Sequence, residues 1–231
     1  MIEDPPLLTI RKPSRRPTEE QIAAFKAAPT SFVADAMMGT GALIGPEAIG
    51  GGRDLVCVAA GPALTVDTGP GDILALGAAM RFVREGDVVV SSCGGHRGCA
   101  AAGDRVCGML RNNGAAGFVT DGPMRDYDGI VAARLPAWCA GLSPNSPAAT
   151  GPGRIGLPIQ IGGRTIETGD MIVADRDGVV VVPFGEIDRI VERLATVSAL
   201  EAELDAKVAA GHRIAPAAAA LLDGDQVTYV D

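Results

Sequence analysis

Two short apolar runs, "DVVVSS" at residues 87–92 and "GFVT" at 117–120, constrain the fold more than any other feature. Each reads as a buried strand. The intervening segment is too long for a hairpin turn and contains a glycine-rich loop, then a helical stretch from about Cys99 to Asn112. Strand, loop, helix, strand is a crossover unit. In such units the loops beyond the strand ends carry chemistry on a rigid scaffold.

The rest of the chain supplies further elements. "PTEEQIAAFKAA" opens a helix, with Thr18 as N-cap and Gln21 completing a capping box. A second short helix starts at Thr30 or Ser31, and residues 39–52 read as loop. "DLVCVAAG" and "PALTVDT" read as two strands split at Gly61-Pro62, and "GPGD" turns the chain into the helix "ILALGAAMRFV". The Pro-rich segment 142–158 reads as an ordered surface loop whose length argues for a functional or interface role. Apolar residues at Ile187, Ile190, Val191, Leu194, Val197, Leu200, Leu204 and Val208 predict a long amphipathic helix. It packs either on its own core or across a neighbour, and periodicity does not choose between them. Repeated Gly-Asp pairs (Asp72, Asp87, Asp104, Asp170 and Asp225) mostly mark turns entering strands or helices.

With 231 residues, 47% of them hydrophobic, the chain can bury one substantial core. The expected organisation is an N-terminal arm at 1–17, an α/β domain at 18–183 and a C-terminal helix and tail at 184–231. Aromatics are only 3% against 31 glycines, so the core is built from Ala, Val, Leu and Ile with many tight turns. The formal charge of -8, with one short basic run at residues 11–17, argues against a nucleic-acid partner. That run reads as a solvated arm or as a segment resting on a neighbouring subunit. Five cysteines, an odd count with no signal peptide ahead of them, predict reduced thiols and a cytoplasmic protein. Apolar stretches are broken well before the ~20 residues of a membrane span, so no membrane partner is expected.

The candidate chemistry lies in the crossover unit. Asp104 is followed after twenty residues by the adjacent pair Arg125-Asp126, in "GDRVCGMLRNNGAAGFVTDGPMRD". Two carboxylates offer hard oxygen ligands to Mg2+ or Mn2+, which bind one or two protein carboxylates and keep exchangeable waters. A guanidinium suits a substrate carboxylate or a developing enolate oxygen. Read blandly, Asp104 decorates a helix and Arg125-Asp126 is a surface ion pair.

The spacing and the "DGPMRD" segment resemble the metal-dependent pyruvate aldolases for 4-hydroxy-4-methyl-2-oxoglutarate and 4-carboxy-4-hydroxy-2-oxoadipate, within the RraA-like superfamily. "GDMIVADRDGVVVVP" at 169–183 resembles that family's closing strand pair. The resemblance implies a layered α/β sandwich with a mixed central sheet, assembled as a homotrimer or hexamer with sites at subunit interfaces. It implies Asp126 as direct ligand of Mg2+ or Mn2+, Asp104 acting mainly through a water, and Arg125 holding a 2-oxo acid substrate. Backbone amides of Arg105, Val106 and Cys107 would bind the substrate carboxylate. His96 and Arg97, on the loop leading into that helix, either contact the substrate's distal carboxylate or hydroxyl or are simply exposed. The activity implied is cleavage to pyruvate and a second oxo compound, with oxaloacetate decarboxylation alongside.

The resemblance also leaves competing functions. One is a non-enzymatic regulator that binds ribonuclease E; that branch keeps the Arg-Asp pair but lacks the acid at the position of Asp104. Another is a menaquinone methyltransferase, which the absence of a full G-x-G-x-x-G pattern discounts. Cys93, His96, Cys99 and Cys107 offer zinc ligands without matched knuckle spacing, and burial as small apolar residues is the commoner fate of such cysteines. The loop "SSCGGHRGC" and the pair Asp72-Ile73 depart from the aldolase pattern, which bears on the substrate more than on the metal. Family members take a further acid from a neighbouring subunit's C-terminal region. Glu201, Glu203 and Asp205 are available there, and no local motif selects one.

Overall fold

The computed structural model describes residues 6–230. Its strands are β1 (Leu8–Ile10), β2 (Glu47–Ala48), β3 (Ala59–Asp67), β4 (Val88–Ser92), β5 (Gly117–Thr120), β6 (Ala137–Cys139), β7 (Gly153–Ile155), β8 (Ile159–Ile161), β9 (Arg164–Ile166), β10 (Met171–Ala174) and β11 (Val179–Val182). Its helices are α1 (Glu19–Phe25), α2 (Thr30–Ala36), α3 (Leu74–Ala79), α4 (Asp104–Asn112), α5 (Tyr127–Ala133), α6 (Ile187–Ala209) and α7 (Pro216–Leu222). Nine strands form one mixed sheet in the order β1-β7-β3-β4-β5-β6-β2, with β10 pairing β3 and β11. The chain is therefore a layered α/β molecule with a mixed sheet and a long C-terminal helix, as expected.

The crossover unit is present: β3, β4, β5 and β6 run parallel in register, with Val89 opposite Phe118 and Val119 opposite Trp138. Their side chains are buried on both faces, which explains why these strands read as continuous apolar runs. The strand pair β10–β11 alternates between two cores. Met171, Val173, Val180 and Val182 pack with α1, α2 and the start of α6, while Ile172, Ala174, Val179 and Val181 join the main core. The capping box of α1 forms as predicted, with Thr18 and Gln21 exchanging both bonds.

Four expectations are corrected. The predicted break at Gly61-Pro62 is one continuous strand, β3. Ala63 N donates to Asp170 O at 2.8 Å, so the adjacent Pro62 nitrogen faces the other edge, where β4 begins only opposite Ala63. No ladder bond is lost there. The helix expected from Cys99 starts at Asp104. Residues 100–102 are non-helical loop instead, with Ala101 N bonded to Pro123 O and Ala102 bridged to Met124. The Pro-rich loop contributes a sheet strand, β7, that pairs β1 and β3. The basic arm is anchored: Leu8–Ile10 form β1, Arg15 pairs with Glu167 and Asp170, and Arg16 pairs with Asp87.

Among the described residues, no helix is long and apolar enough to cross a membrane.

Candidate active site

Three loop segments beyond the strand ends are zipped together by backbone bonds. Arg125 N donates to Ala102 O at 3.1 Å, Met124 N to Gly141 O at 2.8 Å, and Ser143 N to Met124 O at 2.9 Å. Asp104 and Asp126, 22 positions apart in sequence, thereby become neighbours: Asp104 begins α4 and Asp126 immediately precedes α5. A cleft of about 350 Å³ opens between them, lined by Asp104, Arg105, Val106, Arg125 and Asp126, with Ala102, Gly103, Ile73 and Pro147 also in its wall.

Close packing at two glycines sets this geometry. A methyl group placed on Gly103 would lie 2.7 Å from Asp126 Oδ2 and 3.2 Å from Arg125 Cγ. One on Gly129 of α5 would lie 2.6 Å from Asp104 Oδ2. Both contacts are shorter than a carbon side chain allows, so the acids approach these backbones only because no Cβ is present. Asp126 itself adopts φ 62° and ψ 49°, the left-handed region, and makes no side-chain cap to its helix. A non-glycine residue there carries strain of order 1–3 kcal/mol, a pattern that clusters at functional sites.

The polar groups are arranged with spare capacity. Arg125 Nε is 3.4 Å from Asp126 Oδ2, a long contact between side chains 34% and 48% exposed. Such an exposed pair contributes little to stability. Arg125 also donates to the Ser146 hydroxyl, which holds the guanidinium along the cleft. Asp104 Oδ1 accepts from the Arg105 amide at 2.6 Å. Cys107 N donates to Gly103 O at 3.1 Å, inside the first helical turn. Of the three amides expected to bind a carboxylate, Arg105 and Cys107 are thus already engaged. Val106 N has no acceptor among the described residues. The donor set of Asp104 and Asp126 fits a hard divalent cation that takes its remaining ligands from water and substrate.

His96 does not line this cleft. It is half-buried, with Nε2 3.6 Å from the position of a Cβ on Gly71 and packed over Gly98. Arg97 donates to Ala140 O. The surrounding loop is held by Asp121, whose carboxylate accepts from Cys93 N at 2.7 Å, Gly95 N at 2.8 Å and Ser92 Oγ at 3.2 Å. Among the described residues, no three His, Cys, Asp or Glu side chains converge as a metal-holding group. Burial and then the Asp121 carboxylate push the Cys93 thiol up to about 12, and burial and then Asp104 do the same for Cys107. Protonated, buried thiols of this kind are inert packing groups.

Ile73, Gly103, Ser146 and Pro147 escaped the sequence reading as site residues. Asp72 explains the placement of Ile73 and Pro147: Leu74 N donates to its Oδ1 at 2.8 Å, and Thr150 N and Gly151 N donate to its Oδ2 at 2.7 and 3.0 Å. Ile73 N also donates to Ala148 O at 2.9 Å. The length of the Pro-rich segment was the one sequence signal pointing to this wall.

A family model described as "RraA-like: Aldolase/RraA" matches residues 30–181. A relative from Halalkalibacterium halodurans named "Putative 4-hydroxy-4-methyl-2-oxoglutarate aldolase" is 38% identical over 172 residues, 74% of this chain and 80% of its own. A crystal structure of an uncharacterized protein from Pseudomonas syringae pv. tomato superposes with a TM-score of 0.74 at 26% identity, covering 87% of this chain and 97% of that one. RraAS2 of Streptomyces coelicolor, described as an unusual member of the RNase ES inhibitor RraA family, gives 0.70 at 29% identity over 87% and 100%. The chain belongs to the RraA-like family of aldolases and RraA proteins.

Proposed function

We propose that this chain is a divalent-metal-dependent pyruvate aldolase, a carbon–carbon lyase. It cleaves a 4-hydroxy-2-oxo acid such as 4-hydroxy-4-methyl-2-oxoglutarate to pyruvate and a second oxo compound, and decarboxylates oxaloacetate at the same site. The observation that carries the reading is the convergence of Asp104, Arg125 and Asp126 on one cleft, across a glycine that leaves room for them. The named function of the 38% identical relative supports it.

Asp126 would hold Mg2+ or Mn2+ directly and Asp104 through a water. When bound, the cation supplies positive charge against the negative charge that develops on the 2-oxo oxygen. Arg125 would hold the substrate carboxylate or that same oxygen, and the open Val106 amide at the start of α4 would donate to the carboxylate. Asp104, through a water, takes the proton of the C4 hydroxyl. The C3–C4 bond breaks, its electron pair passes to C3 and the 2-oxo group as an enolate, and C4 becomes a carbonyl. Protonation at C3 then yields pyruvate. Oxaloacetate loses CO2 by the same electron flow without needing the base. The reading extends to a cytoplasmic trimer or hexamer.

A second reading, a non-enzymatic regulator binding ribonuclease E, is favoured by the 29% identity to RraAS2. Asp104 separates the two, because the regulators resembled here lack an acid at its position. The test is pyruvate release from 4-hydroxy-4-methyl-2-oxoglutarate and from oxaloacetate, with Mg2+ or Mn2+ and again with EDTA. The aldolase reading expects EDTA-sensitive release from both. No turnover and no metal binding by the folded protein would support the regulator.

A further inference from the structure

Asp126 stands where a helix-capping aspartate would, yet it does not cap. An aspartate in that position ordinarily has extended backbone and accepts from the second or third amide of its own helix. Asp126 O accepts from Ile130 N at 3.0 Å, as a cap residue's carbonyl should, but its backbone is left-handed and its carboxylate makes no bond to α5. The carboxylate lies against Gly103 and Arg125 instead, in the cleft. Rotation of residue 126 to the extended region would relieve the strain and offer the carboxylate to the amides of α5. A strained backbone of this kind persists only where neighbouring contacts over-determine it.

The next residue supplies such contacts. Tyr127, the first of α5, is half-buried against the main core, and its hydroxyl donates to Asp54 Oδ2 at 2.7 Å. Asp54 lies just beyond Gly50, Gly51 and Gly52, whose φ angles of 61°, 65° and 65° make a left-handed loop. A methyl group on Gly50 would lie 2.0 Å from the Tyr127 hydroxyl oxygen and 2.7 Å from ring carbons Cε2 and Cζ, so the ring passes over bare backbone. Two residues on, Gly129 packs as closely against Asp104 of α4. The first turn of α5 is thus gripped at Tyr127 and at Gly129, and residue 126 leads directly into it. Neither Tyr127 nor Asp54 lines the cleft.

We infer, on the reading that Asp126 binds the cation, that Tyr127 and Asp54 are its positioning residues: their hydrogen bond holds residue 126 left-handed and keeps its carboxylate in the cleft, away from its own helix.

The test is the Mn2+ affinity of the intact protein without substrate, read from the electron paramagnetic resonance signal of free Mn2+. Tyr127→Phe and Asp54→Ala are each expected to weaken binding about 10-fold, the worth of one hydrogen bond to a charged group, with the double variant no weaker than either single one. Asp54→Asn, whose amide oxygen still accepts the hydroxyl, is expected to retain part of the affinity. A bond that serves stability alone would lower the urea midpoint and leave Mn2+ affinity unchanged, so wild-type affinity in folded Tyr127→Phe would overturn the inference while leaving the metal site intact. Additive losses in the double variant would overturn it too, as would equal losses in Asp54→Asn and Asp54→Ala, which would point to charge alone. Folded wild type that binds no Mn2+ would bring down the proposed metal site, and this inference with it.

Discussion

At the scale of single residues, the cleft depends as much on what is missing as on what is present. Gly103 has ordinary extended φ, so its backbone would accept alanine; the obstacle is Asp126 Oδ2, 2.7 Å from where the methyl would sit. Gly103→Ala is therefore expected to retain the fold and to lower kcat/KM for pyruvate release by about 100-fold, the cost of misplacing a reacting group by an ångström. Wild-type kinetics in a folded Gly103→Ala protein would show that Asp126 is not held where the mechanism needs it. The acids and the arginine were legible from sequence, because their spacing matches a known pattern. Gly103 was not, since its role exists only once Ala102 is bonded to Arg125 across the loop. Ser146 was hidden for the same reason, being brought to Arg125 by a long-range backbone zipper that no local pattern encodes.

At the scale of elements, the segment 146–151 behaves as a wall pinned by one buried carboxylate. Burial pushes Asp72 up, but hydrogen bonds from Leu74, Thr150 and Gly151 together outweigh it and hold the carboxyl below its ordinary value of 3.8. A depressed folded-state value means that the contribution is fully present above pH 3.8 and fades as pH falls below it. Asp72→Asn is expected to lose about 1–3 kcal/mol at neutral pH and to flatten that acid limb of the stability curve, measured by urea unfolding. An unaltered acid limb would mean that the clamp is not Asp72.

Helix α6 shows where element-level reading stops. Its apolar period is the same along its whole length, yet Leu194 is 5% exposed against α1 and α2 while Leu204 is 43% exposed. Periodicity identifies a face and not what covers it. Leu194→Ala is expected to cost about 2–5 kcal/mol and Leu204→Ala less than about 0.5 in the single chain. Comparable losses from both would place the outer half of α6 in an interface between copies. The late start of α4 has a related cause: Cys99 to Ala102 carry helix-compatible residues, and tertiary bonds to Asn145 and Pro123 hold them out of the helix.

At the scale of the whole molecule, the parallel strands β4 and β5 were readable because both of their faces are buried and their sequences say so, whereas β3 was read with a break at Gly61-Pro62 and the three residues of β6 were not read as a strand. The short strands β1 and β7, three residues each, carry too little pattern to be recognised without their partners. What the fold achieves is a fixed sheet whose strand ends present three short loops, zipped edge to edge, as a single rigid rim. The proposed function requires this rim to hold a divalent cation beside a 2-oxo acid. The most direct measurement is the relaxation of the pyruvate methyl resonance by Mn2+ bound to the protein, compared between wild type and Asp126→Asn. Strong protein-dependent broadening is expected in wild type and is expected to disappear in Asp126→Asn. Broadening of equal size in both, or none in wild type, would contradict it.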